Sequence, residues 1–189
     1  KYGQSAVAAY GIATRVDQIA LLPIMGLTTA TLTLIGQNNG AVLYDRCREV
    51  YHKALLYGIF ITTVSMIIVF FFPGAIMQIF TEDASVLRIG TLYLKISAFI
   101  YWAYIILFVS VSALQGLKRP LYAIWIGLYR QIIAPAIVFY ALATLLGMGL
   151  RGIWWGIFLV TWSATIFTLL YVRSTMNTMF ATADTKRPG

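Results

Sequence analysis

The sequence predicts an all-α integral membrane protein with five transmembrane helices. Of its 189 residues, 60% are hydrophobic and only 11% are charged, whereas soluble domains carry about 25% charged residues. Five stretches of about 20 or more residues contain no Asp, Glu, Lys or Arg, and this is the length that a helix needs to cross a bilayer. Apolar and polar residues do not alternate at period two, as they do in the strands of a membrane barrel.

The five stretches, with their flanks, predict five helices. They run over about 6–36, 53–79, 85–115, 121–146 and 151–174. Asn38 favours a stop after the first helix, and Thr81 or Asp83 is placed to cap the third. Gly116 ends the third helix and Pro120 opens the fourth. Residues 1–175 therefore form a transmembrane region, and 176–189 form a polar cytoplasmic tail.

The basic residues predict the orientation. Most of them flank the predicted helices on one side: Arg46, Arg48, Lys53, Lys118, Arg119, Arg173, Lys186 and Arg187. The opposite side has Lys1, Arg88, Lys95 and Arg151. Positively charged loops stay in the cytoplasm, so we expect a multi-pass protein of the cell membrane with an external N-terminus and a cytoplasmic C-terminus. An odd number of helices, an external start and no initial Met suggest that further helices precede this chain.

Trp154 and Trp155 fall at the outer end of the fifth predicted helix. Tryptophan is enriched where a membrane meets water. We expect both side chains to belong to such an interfacial belt.

Asp17 is the most informative residue of the first helix. It lies about 11 residues, or roughly 16 Å, into the membrane, where a lone ionised carboxylate costs at least about 2.5 kcal/mol. Arg130 enters the membrane from the other face to a similar depth, roughly 14 Å, and is the expected partner. The pair has two interpretations, a structural ion pair or a site for cation coupling or substrate binding.

A polar stripe accompanies Asp17. Thr14 and Thr28 share its helix face, Gln18 adjoins it, and Pro23 is expected to bend the helix. Polar, bent helices at mid-membrane are typical of transport sites, although threonine hydroxyls also bond to their own helix. We therefore predict substrate contacts at Thr14, Asp17, Gln18 and Thr28.

Aromatic side chains provide the other predicted contacts. Tyr101, Tyr104 and Phe108 share one face of the third predicted helix, and aromatic faces attract organic cations. Tyr101, Tyr104 and Arg130 complete the predicted substrate site. The alternative for the aromatic face is ordinary helix packing.

Several segments resemble the multidrug and toxic compound extrusion (MATE) transporters. They are AVAAYGIATRV, LPIMGL and LIGQNNGA between Gly3 and Ala41, SALQGLKRP at 112–120, and YRQIIAP at 129–135. The resemblance implies twelve helices in two six-helix lobes, of which this chain holds helices eight to twelve. It also implies export of amphipathic, often cationic, drug-like compounds in exchange for Na⁺ or H⁺. The absent N-terminal lobe, the lipid bilayer and a small-molecule substrate are the expected partners.

The resemblance leaves the coupling residues open. One branch of the family carries a cation-binding acid on the tenth helix, where this sequence has Tyr104. A different branch carries its coupling acids in the first lobe, which is expected to be missing from this chain. The Na⁺ or H⁺ site can therefore lie outside the chain.

Two other functions are compatible with the sequence. One is a flippase for lipid-linked saccharides with the same architecture, and the other is a membrane scaffold subunit without transport activity. The sequence contains no nucleophile–base motif, phosphate loop or metal-ligand spacing, and one Cys with one His cannot form a zinc cluster. We expect no enzyme activity, no cofactor, no metal and no nucleic-acid partner.

Overall fold

A computed structural model of the protein describes residues 3–184, with side chains up to residue 179. The regular structure of this part is entirely helical. Its helices are α1 (Gly3–Gly40), α2 (Tyr44–Phe71), α3 (Pro73–Gln78), α4 (Ala84–Ser97), α5 (Ile100–Gly116), α6 (Leu121–Leu128), α7 (Ala134–Tyr140) and α8 (Leu150–Asp184). Two π-helical turns, Tyr129–Ile133 and Ala141–Leu145, follow α6 and α7.

The described residues provide five membrane spans. Helices α1, α2 and α8 and the continuous helical run from Leu121 to Leu145 are each long and apolar enough to cross a bilayer. Helices α4 and α5, whose axes differ by 51°, are long and apolar enough only as a pair, and the pair counts as the fifth span if it crosses as one. The predicted fold class, an all-α membrane protein with five spans, is confirmed.

The first connection is much shorter than predicted. Helix α1 continues to Gly40 and α2 begins at Tyr44. Asn38 does not end the helix, because its side-chain Nδ2 donates to the carbonyl of Leu34 at 2.7 Å. The turn is made instead by Val42, whose φ is 60°. The charged residues after it lie on the first turns of α2, not in a loop.

Two further breaks interrupt the predicted helices. Phe72 separates α2 from α3, and Pro73 opens α3 because it has no N–H to continue the preceding helix. Asp83 caps α4, its side chain accepting from the backbone N–H groups of Ser85 and Val86 at 2.7 and 3.0 Å. The predicted cap is therefore confirmed at Asp83. The third predicted helix also breaks after Ser97, without a Gly or Pro at that point.

Helix α5 lies at the centre of the bundle and packs against α1, α2 and α8. Buried residues occur on every turn of it, from Ile100 to Gly116. Small residues allow close approach: a Cβ on Gly58 would meet the side chain of Ile105, and one on Gly116 would lie 3.0 Å from the carbonyl of Leu32. Membrane helices associate through such close contacts, because lipid is as apolar as the helix surfaces and the hydrophobic effect does not drive their association.

The last helix is longer than predicted. Helix α8 runs to Asp184, so the first part of the predicted tail is helical, while 185–189 lie outside the described residues. Trp154 is 3% exposed and packs inside the bundle, whereas Trp155 is 45% exposed. The interfacial position predicted for Trp154 is wrong, because its indole faces α1 and α4.

Candidate functional site

Asp17 lies in the first half of α1 and is buried, with 9% of its surface exposed. Its carboxylate accepts hydrogen bonds from three hydroxyl groups. Tyr93 donates to Oδ2 at 2.8 Å, and Ser97 and Tyr101 donate to Oδ1 at 3.0 and 2.7 Å. These four residues form what we call the Asp17 site, which joins α1 to α4 and α5.

The bend between α4 and α5 helps to build the Asp17 site. Tyr93, Ser97 and Tyr101 are spaced four residues apart, and four residues advance a straight helix by slightly more than one turn. On a straight helix, three donors at this spacing would therefore point in progressively different directions. The bend falls between Ser97 and Tyr101, and the two residues on either side of it contact the same carboxylate oxygen, Oδ1.

An aromatic cluster covers the Asp17 site. The rings of Tyr10 and Trp154 stack at 5.6 Å, and Tyr93 meets both rings edge-on at 5.5 and 4.9 Å. The Nε1 of Trp154 is buried without a hydrogen-bond partner. Three large rings next to a buried carboxylate exclude bulk water from this side, so the three hydroxyl groups provide most of its solvation.

Arg130 does not pair with Asp17. Its guanidinium carbon lies 5.6 Å from the ring centre of Tyr104 and 5.7 Å from that of Phe108, within cation–π distance. Those two rings stack on each other at 5.4 Å. We call these three residues the Arg130 site. The expected ion pair is absent from the described residues, because the Asp17 oxygens are already directed at α4 and α5.

The π-helical turn positions Arg130. The backbone N–H of Ala134 bonds to the carbonyl of Tyr129, five residues earlier. Pro135 follows and has no N–H, so regular α-helical bonding cannot continue through it. The hydroxyl group of Tyr129 is hydrogen-bonded to that of Ser163 in α8 at 2.9 Å, which links the turn to α8. Arg130, the next residue, packs on α5.

The remaining predicted contacts lie apart from both sites. The Thr14 hydroxyl donates to the carbonyls of Tyr10 and Gly11, and the Thr28 hydroxyl donates to that of Met25. Gln18 is exposed. The structure brings Asp17 and Tyr101 together, places Tyr104 under Arg130, and leaves Thr14, Gln18 and Thr28 on the partly exposed side of α1.

Sequence reasoning missed Tyr93 and Ser97. Both donate to Asp17, and both lie in the third predicted helix, before the aromatic face that begins at Tyr101. A signal was available, since Tyr93, Ser97 and Tyr101 form a run of hydroxyl residues at a spacing of four. The sequence does not indicate that this run faces Asp17.

The MatE family model matches residues 1–129, more than half of the chain. The chain belongs to the MATE family. Among curated MATE-like relatives, it is 28% identical over 129 residues to a FAD transporter of Shewanella oneidensis, covering 68% of this chain and 28% of the relative. It is 26% identical over 154 residues to a probable multidrug resistance protein NorM of Thermotoga maritima, and the match covers 82% of this chain and 33% of the relative.

Solved MATE structures share this fold. A MATE transporter in a bent conformation matches with a TM-score of 0.91 at 19% identity, over 96% of this chain and 40% of that one. An outward-facing MATE transporter matches with a TM-score of 0.89 at 20% identity, over 95% of this chain and 40% of that one. An inward-facing MATE transporter matches with a TM-score of 0.87 at 18% identity, over 94% of this chain and 43% of that one. The chain spans about a third of the length of the curated relatives and about 40% of these structures.

Proposed function

We propose that the intact protein is a secondary antiporter of the cell membrane that exports amphipathic, drug-like compounds in exchange for Na⁺ or H⁺. This MATE-family segment would contribute part of one lobe, with its C-terminal end in the cytoplasm. Its partners are the other helices of the transporter, the bilayer and a small-molecule substrate. The cationic preference expected from the resemblance stays a prediction.

The observation that supports this proposal is the Asp17 site. An ionised carboxylate inside a membrane is costly, and here three hydroxyl groups contact it while no basic side chain of the described residues pairs with it. Such a carboxylate is not committed to a fixed ion pair, so it can bind an incoming cation. A fixed ion pair would have used that charge for structure alone.

Hydroxyl groups suit an exchangeable cation, because a hydroxyl can either donate or accept a hydrogen bond. When H⁺ binds, the carboxyl group becomes a donor, and one of the three hydroxyl groups has to turn away or accept. When Na⁺ binds, hydroxyl oxygens can turn their lone pairs toward the ion. Either event changes the contacts between α1 and the α4–α5 span, which couples cation binding to helix packing.

Gradient-driven transport by the intact protein in proteoliposomes tests this proposal. Wild-type protein should move a fluorescent amphipathic dye when a Na⁺ or pH gradient is imposed. Asp17→Asn should lower the gradient-driven rate about tenfold or more, which corresponds to about 1.4 kcal/mol. Asp45→Asn, at an exposed acid of α2, is the matched control and should transport normally. A normal gradient-driven rate for folded Asp17→Asn would contradict the role of Asp17.

A further inference from the structure

The Arg130 site contains a guanidinium group whose charge is not neutralised. No carboxylate of the described residues forms an ion pair with Arg130; its contacts there are the faces of Tyr104 and Phe108. Asp17, which lies in α1, directs both carboxylate oxygens at hydroxyl groups of α4 and α5. The Arg130 site is therefore electropositive.

The N–H groups of Arg130 remain available for a ligand. A guanidinium has five N–H donors in its plane, and cation–π contact uses its face but not these donors. Arg130 is half-buried, like Tyr104 and Phe108, so part of its side chain is accessible, and its contacts among the described residues are the faces of these two rings.

The position of Arg130 makes a purely structural role costly. It lies about nine residues into the helical run that begins at Leu121, roughly 14 Å from its start. A charged side chain at that depth is expensive and typically marks a ligand or ion pathway. Two parallel N–H groups match the two oxygens of a carboxylate or phosphate, and the stacked rings offer a platform for an aromatic ring.

We propose that the Arg130 site binds the anionic group of an aromatic substrate, a carboxylate or phosphate attached to a planar ring. This inference rests on the proposed transport function and specifies its substrate class. Compounds that also carry a positive charge elsewhere belong to this class. Arg130 binds the anion, while Tyr104 and Phe108 hold the guanidinium in place and contact the ring.

Equilibrium binding to the intact purified protein, without an ion gradient, tests the inference. The probes are 1-naphthoate, 1-naphthyl phosphate and the neutral isostere 1-naphthamide. Wild-type protein should bind at least one anion about tenfold more tightly than the amide, equivalent to about 1.4 kcal/mol. The two anions distinguish carboxylate from phosphate recognition. Equal affinities for all three probes would overturn the proposal.

Substitutions then assign the preference to one side chain. Arg130→Gln should abolish the anion preference while leaving amide affinity within about twofold. Arg130→Lys should keep part of it, because lysine retains the charge but not the planar fork. Arg88→Gln, at an exposed arginine of α4, should keep it fully. A folded Arg130→Gln protein that keeps the wild-type preference for anions would contradict the inference. If Arg130→Gln does not fold, an anion preference in Arg130→Lys equal to that of the wild type would contradict it instead.

The binding measurement separates this inference from the antiport proposal. Asp17→Asn should retain the anion preference, because Asp17 does not contact Arg130. Gradient-driven transport without an anion preference would overturn the Arg130 inference alone. An anion preference without any response to Na⁺ or pH gradients would overturn the antiport proposal alone.

Discussion

The Tyr101–Asp17 hydrogen bond gives a quantitative prediction about the charge of the Asp17 site. At 2.7 Å it is the shortest of the three bonds to this carboxylate, within the range of a charge-assisted O–H···O⁻ bond. Hydrogen bonds to charged groups contribute about 1.5–3 kcal/mol, whereas side-chain hydrogen bonds between membrane helices average about 0.6 kcal/mol. An ionised Asp17 should therefore make Tyr101 unusually important to stability.

A double-mutant cycle measures this difference. Tyr101→Phe removes one hydroxyl group, and Asp17→Asn removes the charge while keeping an acceptor. If the bond falls from charge-assisted to ordinary strength, the two substitutions should be coupled by about 1–2 kcal/mol. The assay is the free energy of unfolding of the intact protein, measured by steric trapping in bicelles.

Tyr51 provides the matched control for the cycle. Its hydroxyl lies 2.8 Å from that of Ser110 in a buried, uncharged pair, and neither residue contacts Asp17. Tyr51→Phe combined with Asp17→Asn should be additive within about 0.5 kcal/mol. A Tyr101–Asp17 coupling as small as this control would refute the assignment of an ionised carboxylate held by hydroxyl groups.

Two further predictions concern packing and access. Gly152→Ala should destabilise the intact protein by about 1–3 kcal/mol, because the new Cβ would lie 2.8 Å from the backbone of Leu142. Gly127 has open space around it, so Gly127→Ala is the control. Equal thermal unfolding of the two variants would contradict this packing. In a background without other reactive cysteines, a water-soluble maleimide should label Thr28→Cys but not Thr62→Cys, which is fully buried. Unlabelled Thr28→Cys would favour the dry, packed bundle of a scaffold subunit.

The fold class was predictable because it depends on local properties of the sequence. Apolar length and the absence of charge are sufficient to find spans, and the helical run from Leu121 to Leu145 matches its predicted bounds closely. Helix ends were less predictable, because they depend on single side chains. Asn38 can stop a helix or bond back to it, and the bond to Leu34 decides between these outcomes.

The partners of Asp17 were not predictable from depth alone. Counting residues gives the height of a side chain in the membrane but not which neighbour it faces. Asp17 and Arg130 have similar expected depths, yet α1 packs on α4 and α5, which bring Tyr93, Ser97 and Tyr101 to the carboxylate. The direction in which the Arg130 side chain points also depends on the π-helical turn before Pro135. Counting residues along a regular α-helix does not take such a local irregularity into account.

The separation of the two charges has a functional consequence. A direct Asp17–Arg130 ion pair would neutralise both groups, and removing either partner of a buried pair leaves an uncompensated charge. Helix α5 instead contacts them separately: Tyr101 donates to Asp17, and Tyr104, one turn later, lies under Arg130. In the two proposals made above, this separation leaves the carboxylate to bind a cation and the guanidinium to bind an anion. Because both contacts belong to one helix, the proposed antiport predicts that a shift of α5 on cation binding at Asp17 would also displace the aromatic platform at Arg130, and such a shift would couple the two sites.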